Sequence, residues 1–133
     1  MTSLVVDTHA TIWYLDQSPR LSTVARVAIR DAIDNGYPVY VSAVTIAEVT
    51  YLSEKGRLTP QQLAGLIAML ERADSGLVVA PFDLSVAKML ARIPRQLVPD
   101  MPDRMMAATA AAMNLPLVTR DARIQGGPLA TIW

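Results

Sequence analysis

Asp7 and Glu48 stand in surroundings that hold few other charges, and with Asp103 and Asp121 they are candidates for a shared site. Glu48 is the only charged residue between Asn35 and Ser53, and no Lys or Arg lies within a helical turn of it. An ionised carboxylate in so apolar a segment costs several kcal/mol unless it is paired, protonated or bound to a metal. Glu48 therefore needs a partner, and the acids that are candidates to share its site are Asp7, Asp103 and Asp121.

If these carboxylates converge, their charges must be neutralised, because packed carboxylates repel one another and raise one another's pKa values. The chain has no Cys and a single His, so its ligand atoms would be almost entirely oxygens. Oxygen ligands favour Mg²⁺ or Mn²⁺ over zinc. Such cations activate water and bind the oxygens of a phosphodiester during in-line displacement. The residue types therefore predict metal-dependent hydrolysis of phosphodiesters.

Most of these acids also have a purely structural interpretation. Asp7 precedes a predicted helix and can cap it, and Asp100 and Asp103 have the spacing of a capping box. Asp121, in the segment TRDAR, is typical of an Asx-turn. Taken singly, Asp103 and Asp121 fit a cap or turn about as well as a site. Glu48 lies in the middle of a predicted helix, where a carboxylate caps nothing.

Short apolar runs alternate with longer helical patterns along the chain. The predicted strands are SLVVD, YPVYVS, GLVVAPF, LPLVT and LATIW, and pairs of helices separate the first four. This order indicates a parallel sheet covered by helices on both faces. Sites in such sheets lie beyond the carboxyl ends of the strands. Asp7 and Asp121 each follow a predicted strand, and Asp103 begins the predicted helix DRMMAATAAAMN.

Length and composition predict one compact domain. The chain has 133 residues, 52% of them hydrophobic, which is enough for a full core. The lack of Cys excludes disulfides and thiol catalysis and fits a reducing interior. No segment has the pattern of a signal peptide or of a membrane span, so we expect a cytoplasmic protein with no membrane partner. The net charge is zero, which gives no bulk signature of nucleic-acid binding.

Four segments together resemble the successive signatures of PIN-domain ribonucleases, and especially of the VapC-type toxins of bacterial toxin–antitoxin systems. They are LVVDTHATIWYL, VYVSAVTIAEV, VPDMPDRMMAATA and LVTRDARI, and they span essentially the whole chain in the family's order. The resemblance implies a single PIN domain over residues 1–133, built as an α/β/α three-layer sandwich around a five-stranded parallel sheet of order 3-2-1-4-5. It also implies cleavage of RNA by an endonuclease that uses Mg²⁺ or Mn²⁺.

The resemblance assigns roles to individual residues. Asp7, Glu48, Asp103 and Asp121 match the family's acidic quartet, as catalytic residues and as metal ligands. Asp100 matches a commonly acidic but less central position, so it is expected to support the site or to cap a helix. The family further implies a VapB-type antitoxin whose C-terminal segment covers the site, and commonly a toxin homodimer.

Three polar residues beside the quartet are further candidates. Ser42 and Thr119 each lie at a predicted strand end and are candidates to orient ligand waters or phosphate, although a cap or turn hydroxyl explains both. Arg104 directly follows Asp103 and is a candidate for contact with RNA phosphate. A structural ion pair is the simpler expectation for Arg104.

The first predicted helix carries aromatic side chains at adjacent positions. Trp13 and Tyr14 cannot both face one core, so one of them is expected to be available to a partner such as the antitoxin. His9, two residues after Asp7, is expected to be a helix-start histidine rather than a ligand or general base.

Binding of RNA is expected to depend on arginines. Guanidinium groups suit phosphate contacts, and five arginines of the C-terminal half are expected to lie around the site: Arg92, Arg95, Arg104, Arg120 and Arg123. We expect modest affinity that depends strongly on salt.

Two other classes of protein remain open from the residues alone. A haloacid-dehalogenase-like phosphatase also places a nucleophilic Asp after its first strand, but it needs a second Asp where this chain has His9. A non-catalytic, protein-binding α/β domain has the same fold without hydrolysis. That class predicts no metal affinity and leaves Glu48 unexplained.

Overall fold

The centre of the protein is a sheet of five parallel strands in the order β3-β2-β1-β4-β5. A computed structural model describes residues 2–133. The strands are β1 Leu4–Val6, β2 Val39–Ser42, β3 Leu77–Ala80, β4 Leu117–Val118 and β5 Thr131–Ile132. The predicted α/β class, strand direction and strand order are therefore confirmed.

Seven α-helices and one 3-10 turn connect the strands in the described part of the chain. The helices are α1 Thr8–Leu15, α2 Thr23–Asp34, α3 Ala43–Glu54, α4 Pro60–Glu71, α5 Leu84–Met89, α6 Met101–Met113 and α7 Ala122–Gln125, and the 3-10 turn is Leu90–Arg92. Within residues 2–133, none of these helices has the length and apolar character that crossing a membrane requires.

Local capping chemistry sets several of the helix ends. The Ser22 hydroxyl accepts a hydrogen bond from the third residue of α2. Thr59 and Gln62 form a reciprocal capping box at the start of α4. Gly36 and Gly56 follow α2 and α3 with φ angles of +78° and +75°, which L side chains rarely adopt.

Strand β1 is buried on both faces, because its side chains alternate between two core clusters. Leu4 and Val6 pack in a cluster with Ile29 of α2. Val5 packs on the opposite face, in a cluster that includes Ala108 of α6 and Leu117 of β4. Helices therefore cover both faces of the sheet, and the middle strand has no contact with solvent.

Two helices differ from the sequence-based prediction. Helix α6 begins at Met101 rather than at Asp103, because Asp100 is its N-cap and accepts a hydrogen bond from the backbone N–H of Asp103. Helix α7 was not predicted, since four residues are too few to show a helical period. Both differences lie next to predicted site residues.

Candidate active site at the carboxyl edge of the sheet

Strands β1 and β4 are neighbours, and they bring Asp7 and Asp121 to the same edge of the sheet. Val6 lies opposite Val118 in the ladder, and the Asp7 N–H donates to the Val118 carbonyl at 3.1 Å. Asp121 follows three residues after Val118. Its negative charge is close enough to raise the pKa of Asp7.

Asp7 is a helix cap as well as a member of this edge. Its Oδ1 accepts a hydrogen bond of 2.9 Å from the Ala10 N–H at the start of α1. The side chain is only 9% exposed, and burial raises its pKa, an effect that hydrogen bonding from Thr119 and Ala10 opposes. Burial and capping together fix the direction of the carboxylate before any ligand binds.

Asp121 and Thr119 form a turn at the end of β4. The Thr119 hydroxyl accepts from the Asp121 N–H at 3.0 Å, and Asp121 Oδ1 accepts from the Arg123 N–H at 2.8 Å. The latter bond is the predicted Asx-turn, and it also caps α7. Thr119 thus has the predicted turn role, and it also lies beside Asp7.

Asp103 responds electrostatically to every other acid of the site. Its pKa is raised from 3.8 to about 7, first by burial and then by the negative charges of Asp100, Asp121, Glu48 and Asp7. The N–H of Asp103 donates to Asp100 Oδ1 at 3.2 Å, so Asp100 is the cap and the Asp103 carboxylate is not. The charges of the other three predicted acids therefore act on Asp103.

Glu48 has a buried oxygen with no hydrogen-bond partner. Among residues 2–133 only two buried side-chain polar atoms lack one, Glu48 Oε1 and Arg104 Nε. A buried carboxylate oxygen without a partner is costly, and native proteins rarely keep one outside functional sites. The structural interpretation of Glu48 as an ion-paired residue has no support, because the salt bridge found in the described chain joins Arg72 and Asp74.

The oxygen atoms of the four carboxylates suit a hard cation, although the side chains do not lie close enough together to surround one. All four acids have carboxylate oxygens, the atom type that such cations prefer, and Glu48 Oε1 is buried without a hydrogen-bond partner. In the part of the chain that the structure describes, no three His, Asp or Glu side chains lie close enough together to hold a metal ion as they stand. The ligand set therefore stays a prediction that rests on this chemistry and on electrostatic proximity.

Buried side chains of α1, α3 and α6 contact one another within one helical turn, along the chain, of three of the acids. The hydroxyl oxygens of Thr8 and Thr45 lie 3.1 Å apart, and they lie 3.3 Å and 3.4 Å from the sulfur of Met106. Thr8 follows Asp7 on α1, Thr45 precedes Glu48 by one helical turn on α3, and Met106 follows Asp103 by one turn on α6.

Sequence reasoning missed the cluster of Thr8, Thr45 and Met106. The sequence places a Thr one helical turn before Glu48 and a Met one turn after Asp103, and this spacing could have indicated the contact.

Ser42 and Arg104 have structural partners. The buried Ser42 hydroxyl caps α3 by accepting from the Val44 N–H at 3.1 Å, so its cap interpretation is confirmed. The ion pair expected for Arg104 was wrong. Its Nη2 donates instead to the carbonyl oxygens of Leu90 and Ile93 at 2.9 Å and 3.2 Å, the first residue and the C-cap of the 3-10 turn beside α6.

The aromatic residues of α1 face different surroundings. Tyr14 lines a cavity of about 950 Å³ between α1, α2 and α4. The Trp13 ring centroid lies 5.7 Å from that of the exposed His9 and 5.9 Å from that of Trp133. The Arg120 guanidinium lies 5.8 Å from the Trp13 centroid. Trp13 therefore belongs to the edge that carries the acids, and Tyr14 to a separate groove.

The expected ring of arginines is incomplete. Arg120 and Arg123 flank Asp121 in the sequence and are exposed. Arg92, however, lines a cavity with Ala110 and Asn114, at the C-terminal end of α6 and so at the opposite end of that helix from Asp103. The expectation for Arg92 was wrong, because the turn that ends the preceding helix directs it away from the acids.

Known proteins resemble this chain in sequence and in fold. The chain is 28% identical over 125 residues to Ribonuclease VapC22 of Mycobacterium tuberculosis, which covers 94% of this chain and 92% of that protein. The fold is similar to that of FitAcB from Neisseria gonorrhoeae, with a TM-score of 0.61, 27% identity and coverage of 96% and 95% of the two chains. It also resembles VapBC2 from Rickettsia felis bound to a promoter DNA fragment, with a TM-score of 0.73 and 17% identity over 98% and 97% of the chains. The sequence pattern of the PIN domain matches residues 4–126, and the chain therefore belongs to the PIN domain family.

Proposed function

We propose that the chain is an endoribonuclease that depends on Mg²⁺ or Mn²⁺ and is the toxin of a type II toxin–antitoxin system. The proposed ligands and catalytic residues are Asp7, Glu48, Asp103 and Asp121. The observation that carries the proposal is the buried oxygen of Glu48 without a partner. The charge of Glu48 also acts on Asp103, whose pKa is raised to about 7 first by burial and then by the charges of neighbouring acids. Such an arrangement of acids gains stability from a cation.

The chain's own residues prepare the site for this chemistry. The cap at Ala10 fixes the Asp7 carboxylate, and the turn at Thr119 fixes the backbone of Asp121. Burial and the charges of neighbouring acids raise the pKa of the Asp103 carboxyl to about 7, and a cation held by these acids would favour its charged form. When bound, Mg²⁺ or Mn²⁺ acidifies water and stabilises the charge that develops on a phosphodiester.

The partners follow from family membership and from the relatives' names. The relative from M. tuberculosis is named a ribonuclease, and one structural neighbour, from Klebsiella pneumoniae, is described as a toxin-antitoxin complex. We propose RNA as the substrate, a VapB-type antitoxin as the inhibitor, and a homodimer as the assembled toxin, acting in the cytoplasm as a single PIN domain. The groove beside Tyr14, about 950 Å³ in volume, is the surface that we assign to the antitoxin.

The test is cleavage of a generic single-stranded RNA with Mn²⁺ by wild type, Glu48→Gln and Glu54→Gln. Glu54 is the matched control, because it is an exposed glutamate at the end of the same helix. We expect Glu48→Gln to lose about 10²–10³-fold in rate, comparable to the loss of one pre-organised electrostatic group. Glu54→Gln is expected to cleave like wild type. Equal rates for the two variants would refute the assignment of Glu48.

A further inference from the structure

A smaller cavity is lined by residues that follow two of the predicted acids in the chain, and the proposed chemistry does not use it. It encloses about 260 Å³ between α1, the end of α3 and the following loop. Thr8 and His9 line it and directly follow Asp7, and Leu52 lines it one helical turn after Glu48. The cavity therefore lies against α1, which follows Asp7, and against α3, which carries Glu48.

The lining of this cavity combines positive charge with aromatic surface. Arg20 and Arg57 contribute guanidinium groups, and His9 and Trp13 contribute rings. Within the described chain, no carboxylate side chain lines it. Its floor is apolar, formed by aliphatic side chains of α1, α3 and the following loop. A ligand with a flat unsaturated ring and a negative group fits this combination.

The volume of the cavity limits its ligand to about one nucleoside. Sites for drug-sized molecules usually enclose ~300–1,000 Å³, so 260 Å³ accommodates about one base with its sugar. Single-stranded nucleic acids are commonly held by base stacking on aromatic rings and by cationic groups along the backbone.

We propose that this cavity binds one nucleotide of an RNA strand whose neighbouring phosphodiester lies at the acids. The base packs against Trp13 and His9, and Arg20 and Arg57 bind the phosphate. The proposal rests on the proposed function, because the strand is the substrate of that reaction. A segment of a protein inhibitor is the competing occupant, and the paired arginines beside an aromatic surface favour RNA.

The binding test uses a five-nucleotide RNA and an abasic oligomer of the same length, in EDTA so that neither is cleaved. The chain has two Trp residues, so Trp133→Phe leaves Trp13 as the single fluorescent reporter. We expect the RNA to quench Trp13 saturably and the abasic oligomer to bind without quenching. Equal quenching by both oligomers would overturn the base contact.

The kinetic test compares Arg20→Gln and Arg57→Gln with Arg92→Gln, an exposed arginine at the far end of α6. We expect the first two variants to raise KM and the Kd for RNA about 5- to 20-fold, to change kcat less than about twofold, and to lower the salt slope by about one. Arg92→Gln is expected to behave like wild type.

These measurements separate the failure of the subsite from the failure of the nuclease. Cleavage by wild type with unchanged KM in Arg20→Gln and Arg57→Gln would overturn the subsite and leave the nuclease intact. Quenching without any cleavage would keep the subsite and refute the nuclease. Variants that keep the RNA KM but escape neutralisation by a coexpressed antitoxin would assign the cavity to a protein partner and overturn the proposal.

Discussion

Replacement of Glu48 by Gln separates a metal ligand from a structural carboxylate, because the two roles predict opposite effects. Gln keeps the size of the side chain and removes its charge. Glu48 Oε1 is buried without a hydrogen-bond partner, and Glu48 contributes to the raised pKa of Asp103. Removing that charge relieves the desolvation of a buried carboxylate and its repulsion of Asp103, whereas loss of one member of a buried ion pair would leave its partner uncompensated.

The expected magnitudes follow from these contacts. In EDTA we expect Glu48→Gln to be as stable as wild type or more stable by up to ~1 kcal/mol, which is a fraction of the ~1–3 kcal/mol cost of an unsatisfied buried group. Loss of a partner from a buried ion pair would instead destabilise the fold by ~3–5 kcal/mol. With Mn²⁺, RNA cleavage should fall by about 10²–10³-fold, which corresponds to ~2.7–4 kcal/mol of transition-state stabilisation.

The assay measures urea midpoints in EDTA and cleavage of one labelled RNA with Mn²⁺ on the same preparations. Glu54→Gln serves as the control for a change of net charge on α3. A Glu48→Gln protein that is clearly destabilised and yet cleaves at nearly the wild-type rate would refute the reasoning.

Four further predictions use the remaining contacts. The raised pKa of Asp103 means that the folded protein binds a proton more tightly than the unfolded chain does, so stability in EDTA should fall as pH rises from about 4 through about 7. Because Asp103 is partly exposed, we expect the free energy of unfolding to fall by only ~1–2 kcal/mol over this pH range, as measured by urea titration. We expect no such fall in Asp103→Asn. Mn²⁺ should raise the melting temperature of wild type by mass action and have little effect on Asp7→Asn, as scanning fluorimetry would show. Thr45→Val removes the hydroxyl that contacts Thr8. It should lower the rate of cleavage about tenfold, weaken Mn²⁺ binding and lower the free energy of unfolding by ~1 kcal/mol. Unchanged metal binding would make that contact purely structural. Expression of wild type should arrest growth, and Asp121→Asn should not, as growth curves at equal soluble protein levels would show.

Local sequence signals predicted the elements whose ends are set by near neighbours. Ser22 and Thr59 start their helices as expected, because a cap needs only residues within one turn. Helix α6 was expected to start at Asp103, but it starts directly after Asp100. The sequence allowed either aspartate to cap the helix, and only the backbone conformation decides between them. Helix α7 was too short to leave a periodic signal.

The acidic residues could be proposed from sequence because Asp7 and Glu48 contrast with apolar surroundings and because Asp103 and Asp121 lie at predicted helix or strand ends. Contacts that depend on packing across the chain were not found. The Thr8, Thr45 and Met106 cluster joins three helices through residues 37 to 98 positions apart, and nothing local marks such a contact. Arg104 was expected to pair with an acid, but the carbonyls of a neighbouring turn lie nearer.

We propose that these acids form a metal-dependent centre for RNA cleavage. The most direct measurement follows a labelled single-stranded RNA incubated with purified wild type in Mn²⁺, with wild type in EDTA, and with Asp7→Asn in Mn²⁺. Circular dichroism and unfolding midpoints of both proteins establish that each is folded. If the site needs both the metal and Asp7, only wild type with Mn²⁺ cleaves the RNA. Cleavage of equal rate in EDTA, or by folded Asp7→Asn, would contradict it.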